Sequence, residues 1–278
     1  MPQLTGAVVP RSSIPAMPYP GRVIKKGEKD KNIVLAVQRR LNESGVGPLE
    51  EDGDFGANTL GAVKLFQARF TDADGQPLKV DGQIGSITWA ALFGAKSVPT
   101  ASGTKGSPLL TKMLEIAISQ VGVMEKPLGS NRGPQVDQYL RSVGLDPKKG
   151  SYAWCAAYVY YCYDQAAQAL GIPNPVVKTA GVMDHWAKAG ARKIPRILRA
   201  DAIANPALVK PGHIFIMDYG GGRGHTGIVE RVNGGKLVTL EGNTNSGGSR
   251  EGIGVFRREM RKIVDINKGF LDYSGFGK

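Results

Sequence analysis

The chain has 278 residues, 41% apolar and 22% charged, the balance of a globular protein long enough for two domains. Its net charge is +12, and residues 105–278 carry 24 Lys and Arg against 14 Asp and Glu, a surface that draws polyanions. No apolar run approaches the roughly 18 residues of a membrane span. Zinc-finger spacing and the aromatic platform of a single-strand binder are both missing, which excludes a specific nucleic-acid module.

Residues 1–20 hold five prolines and read as an extended or mobile leader. They lack a cationic start followed by an apolar core, so no Sec signal peptide is expected. A protein made this way stays in the cytoplasm unless another route takes it to its site of action.

Residues 21–94 read as a compact three-helix unit. Val34, Val37, Gln38 and Leu41 have helical spacing, as do Leu60, Val63, Phe66 and Phe70. Two segments echo each other, Asp52-Gly-Asp-Phe-Gly-Ala-Asn-Thr59 and Asp81-Gly-Gln-Ile-Gly-Ser-Ile-Thr88. In each, Asp-Gly makes a turn, Phe55 or Ile84 plugs the core, and Gly and Thr lead into a helix. Trp89 and Leu92 close the second copy. Asp72-x-Asp74-Gly75 lacks the third acid and the distal Glu of a calcium loop, and so reads as a turn. Residues 95–108, AKSVPTASGTKGSP, have the composition of a flexible linker.

Residues 109–278 read as an α+β domain, helices first and an antiparallel meander after. Residues 109–121 are amphipathic, residues 129–140 form a loop and a second helix, and SYAWCAAYVYYCYDQAAQALG makes about five more turns. After Pro211-Gly212, the runs HIFIMDY, HTGIVERV and KLVTLEGN are short strands separated by Gly clusters.

The chemistry concentrates on Cys155. It stands at the first turn of its helix, where unpaired N–H groups and the positive end of the dipole favour a thiolate. Cys162, the other cysteine, lies two turns further in, about 10.5 Å along the axis. That is too far for a disulfide, and two free thiols suit a reducing compartment; Cys162 reads as core.

A thiol nucleophile needs a base, and the base needs an orienting partner. His185 sits in an apparent helix beside Trp186 and reads as packed. His213 follows Pro-Gly at a strand start. His225 opens HTGIV after the Gly220–Gly224 hairpin, where a strand at the sheet edge would hold its imidazole toward the Cys155 helix. Glu241 and Asn243, on the next strand and two apart, share a face, so one can orient His225 while the other adds a polar contact. Three scattered histidines without H-E-x-x-H do not make a zinc site.

Two resemblances sharpen this reading. Val37-Gln38…Leu41, Asp52-Gly53-x-Phe55-Gly56-x-x-Thr59, Ala62-Val63-x-x-Phe66-Gln67 and Asp81-Gly82-x-Ile84-Gly85-x-x-Thr88-Trp89-x-x-Leu92 resemble the peptidoglycan-binding type 1 family, which implies noncovalent attachment to bacterial peptidoglycan. Trp154-Cys155-Ala156, Pro211-Gly212, Gly224-His225-x-Gly227-Ile228-Val229 and Glu241-Gly242-Asn243 look like the CHAP family of cysteine, histidine-dependent amidohydrolases and peptidases, of papain-like fold. The segment from Gly129 to Asp137 is also similar to members of that family, whereas His213 departs from a common Pro-Gly-Asp.

Carried over, the resemblance implies Cys155 as nucleophile, His225 as base and then acid, Glu241 orienting His225, and Asn243 as a fourth polar member. Trp154, beside the nucleophile, would contact substrate. No metal and no cofactor is implied. The whole layout resembles phage endolysins, acting on the wall as a monomer, with anionic envelope polymers or lipopolysaccharide as electrostatic partners. An injected antibacterial effector with the same chemistry, and a nonenzymatic wall-binding protein, are the competing readings.

Overall fold

A computed structural model describes residues 17–104, 106–245 and 252–277; most of the Pro-rich leader lies outside the described residues. The chain divides into two compact units. The first takes the described residues up to Thr100 with the short segments Ile203–Ala207 and Asn233–Gly235, and the second takes the rest.

The first unit is built on α1 (Lys31–Glu43), α2 (Ala57–Arg69) and α3 (Ser86–Phe93). Asp30 caps α1 by accepting from the N–H groups of Asn32 and Ile33. Val34, Val37, Leu41, Val63, Phe66, Ile84 and Trp89 are fully buried and form the core that the helical spacing predicts.

The two sequence echoes fold into the same hydrogen-bonded device. Gln38 Nε2 donates to Asp52 Oδ1 (2.7 Å) and to the Asp54 carbonyl (3.1 Å), and its Oε1 accepts from Gly53 N (3.0 Å). Gln67 repeats this with Asp81 Oδ1 (3.2 Å), the Gln83 carbonyl (2.9 Å) and Gly82 N (2.8 Å). Each Asp also accepts from the N–H two residues on, the closed Asx turn that short polar side chains make. The helix before each turn therefore supplies the glutamine that fastens it.

The stretch read as linker carries regular structure. Gly94 ends α3, the Ser97 hydroxyl donates to its carbonyl (2.6 Å), and a 3-10 turn, Ala95–Ser97, leads into a three-residue strand, β1 (Thr100–Ser102).

The second unit adds α4 (Pro108–Ser119), α5 (Pro134–Ser142), α6 (Cys155–Leu170), α7 (Val182–Ala191), β2 (Arg196–Leu198) and α8 (Arg199–Ala204). The strands β3 (Ile214–Gly220), β4 (Arg223–Asn233), β5 (Lys236–Thr244), β6 (Gly254–Lys262) and β7 (Gly269–Leu271) follow. They order as β2-β7-β3-β4-β5-β6, with β1 pairing β4. The fold is α+β, as the order of helical and strand patterns predicts.

Ten residues of α6 are buried around its whole circumference, so it is the central helix of this unit, packed by α4, α5, α7 and β5. Its two fully buried tyrosines keep their hydroxyls satisfied in the core. Tyr158 Oη donates to the Ala117 carbonyl (3.1 Å) and Tyr163 Oη to that of Gly212 (2.6 Å). Gly171, left-handed at φ +67°, terminates the helix.

The glutamine device yields the first prediction. Gln67→Ala strands the Asp81–Gly82 turn and is expected to destabilise the first unit by about 2 kcal/mol, whereas Gln76→Ala, at an exposed side chain, changes stability by less than about 0.5 kcal/mol. Urea unfolding of the full chain measures both.

Candidate active site

Cys155 is the first residue of α6, with Trp154 as N-cap. Its backbone N–H belongs to the helix's unpaired first turn and is free to serve an incoming oxygen. The thiol is nearly covered, at 3% exposure.

The facing groups come from the sheet. His225 lies at the start of β4, opposite Met217 of β3. This strand is interior, flanked by β3 and β5, and not at the sheet edge that the sequence suggested. His225 Nε2 bonds Glu241 Oε2 of β5 at 2.8 Å, with both side chains at 0% exposure. Among the described residues Nδ1 has no geometric hydrogen-bond partner, which leaves it as the nitrogen for the Cys155 thiol, a group close enough to act on the ring electrostatically. Nε2 occupied by a carboxylate, with Nδ1 left open, is the arrangement a general base for Cys155 requires.

The electrostatics follow from these contacts. Burial opposes charging His225, but hydrogen bonds with Cys155 and Glu241 overcome it and hold the imidazole up at about 9. Burial likewise opposes an ionised Glu241, yet the bonds from His225 and Arg261 prevail and hold its carboxyl down at about 2. The carboxylate is fully subscribed. Oε1 accepts from Thr239 Oγ1 (2.6 Å) and Arg261 Nε (2.7 Å), and Oε2 accepts from His225 and from Arg261 Nη2 (2.7 Å).

Close backbone approach makes this assembly fit. A Cβ at Gly242 would come within 2.7 Å of Tyr158 and 2.8 Å of Trp154, so only glycine lets β5 lie this close to the start of α6.

Two expectations need correction. Asn243 does not join Glu241 on the imidazole. Its left-handed backbone (φ +53°) and the irregular β5–β6 register between Glu241 and Thr244 break the alternation that would give the two side chains one face. With its amide oriented to satisfy both ends, Asn243 accepts from Trp154 N and donates to the Gly252 carbonyl, each at 3.2 Å. It thus ties β5 to the residue preceding Cys155. Trp154 is no substrate contact either: it is 0% exposed, and its indole N–H donates to the buried Glu125 carboxylate at 2.9 Å.

The remaining candidates separate cleanly. His213 sits opposite Val229, four residues and about 13 Å along β4 from His225. Its Nδ1 accepts from Lys210 N (3.2 Å) and its Nε2 faces Asp272 at 3.5 Å. His185 is buried, shares a 2.9 Å hydrogen bond with Tyr273, and is pushed down to about 4 by that burial, which suits a packed neutral histidine. Cys162 is fully buried, and burial raises its thiol far above the ordinary range, so it is packing.

Sequence reasoning missed Arg261, which it counted only among the basic residues of a surface that draws polyanions. Arg257 does face outward, paired with Glu230 at 2.8 and 3.1 Å. Arg261 turns inward, at 8% exposure. The available signal was Glu241 itself, since a buried carboxylate needs a cation from an adjoining strand.

Comparison with protein families finds two matches. Residues 147–243 match the CHAP domain, and residues 30–92 match the putative peptidoglycan binding domain. The first spans α6, β3, β4 and β5, and the second spans α1 to α3. No curated protein and no solved structure matches the chain.

The burial of Trp154 makes the second prediction. Trp154→Phe leaves the Glu125 carboxylate without its donor and is expected to cost about 2 kcal/mol in urea unfolding; an exposed substrate-binding tryptophan would cost almost nothing.

Proposed function

We propose that this chain, a peptidoglycan-acting hydrolase that joins a CHAP domain to a peptidoglycan-binding domain, cleaves an amide bond in the peptide part of the bacterial cell wall with Cys155 as nucleophile. One observation carries the reading. His225 is clamped through Nε2 to Glu241, which leaves Nδ1 for the thiol of Cys155 at the N-terminus of α6, a group close enough to act on the ring.

The reaction follows from that geometry. The Cys155 thiolate adds to the amide carbonyl carbon, and the developing oxyanion is met by the Cys155 backbone N–H. The imidazolium of His225 gives its proton to the amine nitrogen as the C–N bond breaks, leaving a thioester on Cys155. Neutral His225 then takes a proton from water, hydroxide adds to the thioester carbonyl, and the C–S bond breaks to release the acid and restore the thiolate–imidazolium pair. Glu241 stays ionised throughout and keeps the ring oriented. Asn243 supports the site through Trp154 N.

The first unit would hold the enzyme on its insoluble substrate and raise the local concentration of scissile bonds. A net charge of +12 suits approach to an anionic envelope, with wall polymers or lipopolysaccharide as electrostatic partners. Among the described residues no helix is long and apolar enough to cross a membrane. We read the biological role as endolysin-like wall degradation that ends in lysis; purified protein added to outer-membrane-permeabilised cells should clear them.

Turbidity loss of purified peptidoglycan tests the mechanism. Cys155→Ala and His225→Ala are expected to lose at least about 10³-fold in rate, while His213→Ala stays within a few-fold of wild type per folded molecule. An alanine variant at Cys155 that clears the wall as fast as wild type would overturn the Cys155 mechanism. Mass spectrometry of the products should show new amine and carboxyl ends with the glycan intact; cut glycan strands would overturn the reading.

The rate should also fall as pH rises through about 9, where His225 loses the proton that the leaving amine needs. Initial rates between pH 6 and pH 10 check this.

A further inference from the structure

We propose that Arg261 is a positioning residue for the thiol–imidazole pair: its guanidinium fork locks the Glu241 carboxylate into the one orientation that holds His225 Nε2. The proposal rests on the Cys155 reading above.

The contacts are those of a clamp and not of a loose ion pair. Nε and Nη2 of Arg261 meet Oε1 and Oε2 of Glu241 at 2.7 Å each, a planar two-point contact that fixes the plane of the carboxylate. A single hydrogen bond to His225 would leave the carboxylate free to rotate about its last torsion. Arg261 removes that freedom, and Thr239 Oγ1 occupies the last acceptor position.

The guanidinium is itself held. It lies 5.1 Å from the centre of the Phe215 ring, and Nη1 approaches Met217 Sδ at 3.4 Å. Phe215 also packs against the imidazole, 5.8 Å between ring centres, so one buried ring backs both cations. A lysine could supply the charge here but not the fork.

The charged and titratable surroundings are compact. Glu241 is faced by His225 from β4, Arg261 from β6 and Tyr158 from α6, with Cys155 reached through His225. Arg261 is also sensed by Tyr219 of β3 and by Asp265 in the 3-10 turn Ile263–Asp265. Arg261 is thus the permanent cation of the set, and His225 the one that must gain and lose its proton.

Arg261→Met, Arg261→Lys, Glu241→Gln and the double variant Glu241→Gln/Arg261→Met test this by initial rates of peptidoglycan clearance from pH 4 to pH 10. Cys155→Ala runs alongside, and circular dichroism and thermal melting report the folded fraction. Arg261→Met should lose about 100-fold in rate and move the acidic limb up into the range above pH 4, because buried Glu241 loses one of the two partners that hold its carboxyl low and takes up a proton more readily. Arg261→Lys should keep the acidic limb in place yet lose about tenfold, which separates charge from fork.

The double variant should be no slower than Glu241→Gln alone, since Arg261 acts only through Glu241. It buries no unpaired charge, and with Arg261→Lys it decides the matter if Arg261→Met does not fold. An acidic limb that stays put in folded Arg261→Met, or losses that multiply in the double variant, would overturn the positioning role. A fully active Cys155→Ala would instead overturn the reading on which the proposal rests.

Discussion

A carboxylate with no access to water stands at the meeting of β4, β5 and β6, and the arrangement around the candidate nucleophile depends on it. Stripped of hydration, an ionised Glu241 would cost several kcal/mol if left unpaired. It is tolerated because donors from His225, Thr239 and Arg261 fill its acceptor positions. Each partner is fixed in turn. His225 cannot turn its ring without breaking the 2.8 Å bond, and Arg261 is backed by Phe215. The same ion network that keeps Glu241 ionised keeps His225 protonated, which is the charge state that the proposed acyl transfer starts from.

The helix side of the site is set by packing. The first turns of α6 are buried on all sides, and β5 crosses its start at a distance only Gly242 permits. Asn243 and Glu125 fasten Trp154 from two directions, one at the backbone N–H and one at the indole. Cys155 therefore follows a residue with no freedom of its own. Residues that resemble parts of the site in a motif can thus serve it at one remove, by holding the backbone on which Cys155 sits.

The first unit shows the same economy in a different form. One glutamine on each preceding helix satisfies the turn that starts the next, and the device is used twice at identical spacing. A unit of this size has a small core, so satisfied turns of this kind contribute a large share of its stability.

Much of this was legible along the chain. Apolar spacing and patterning placed α1, α2, α4 and α6, and the repeat placed α3. Beside them α5 and α7 were read as helices, and short β-rich runs placed β3, β4 and β5, because those signals arise from contacts a few residues apart. The thiol at a helix start, the His225 strand and the Glu241 strand were also readable, since neighbouring strands in a meander pair by default. The short strands β2 and β7, the strand β6 and the inward turn of Arg261 were not. Basic residues occupy both faces of β6 and hide its alternation, and Arg261 stands opposite Leu237, not opposite Glu241. Asn243 and Trp154 failed as predicted for a related reason. A left-handed residue, an irregular register and the burial of an indole are consequences of how β5 packs on α6. The sequence by itself determined which groups could do the chemistry. Only the tertiary structure decided which of them touch, because a hydrogen-bond partner twenty residues away is chosen by register and packing and leaves no local pattern.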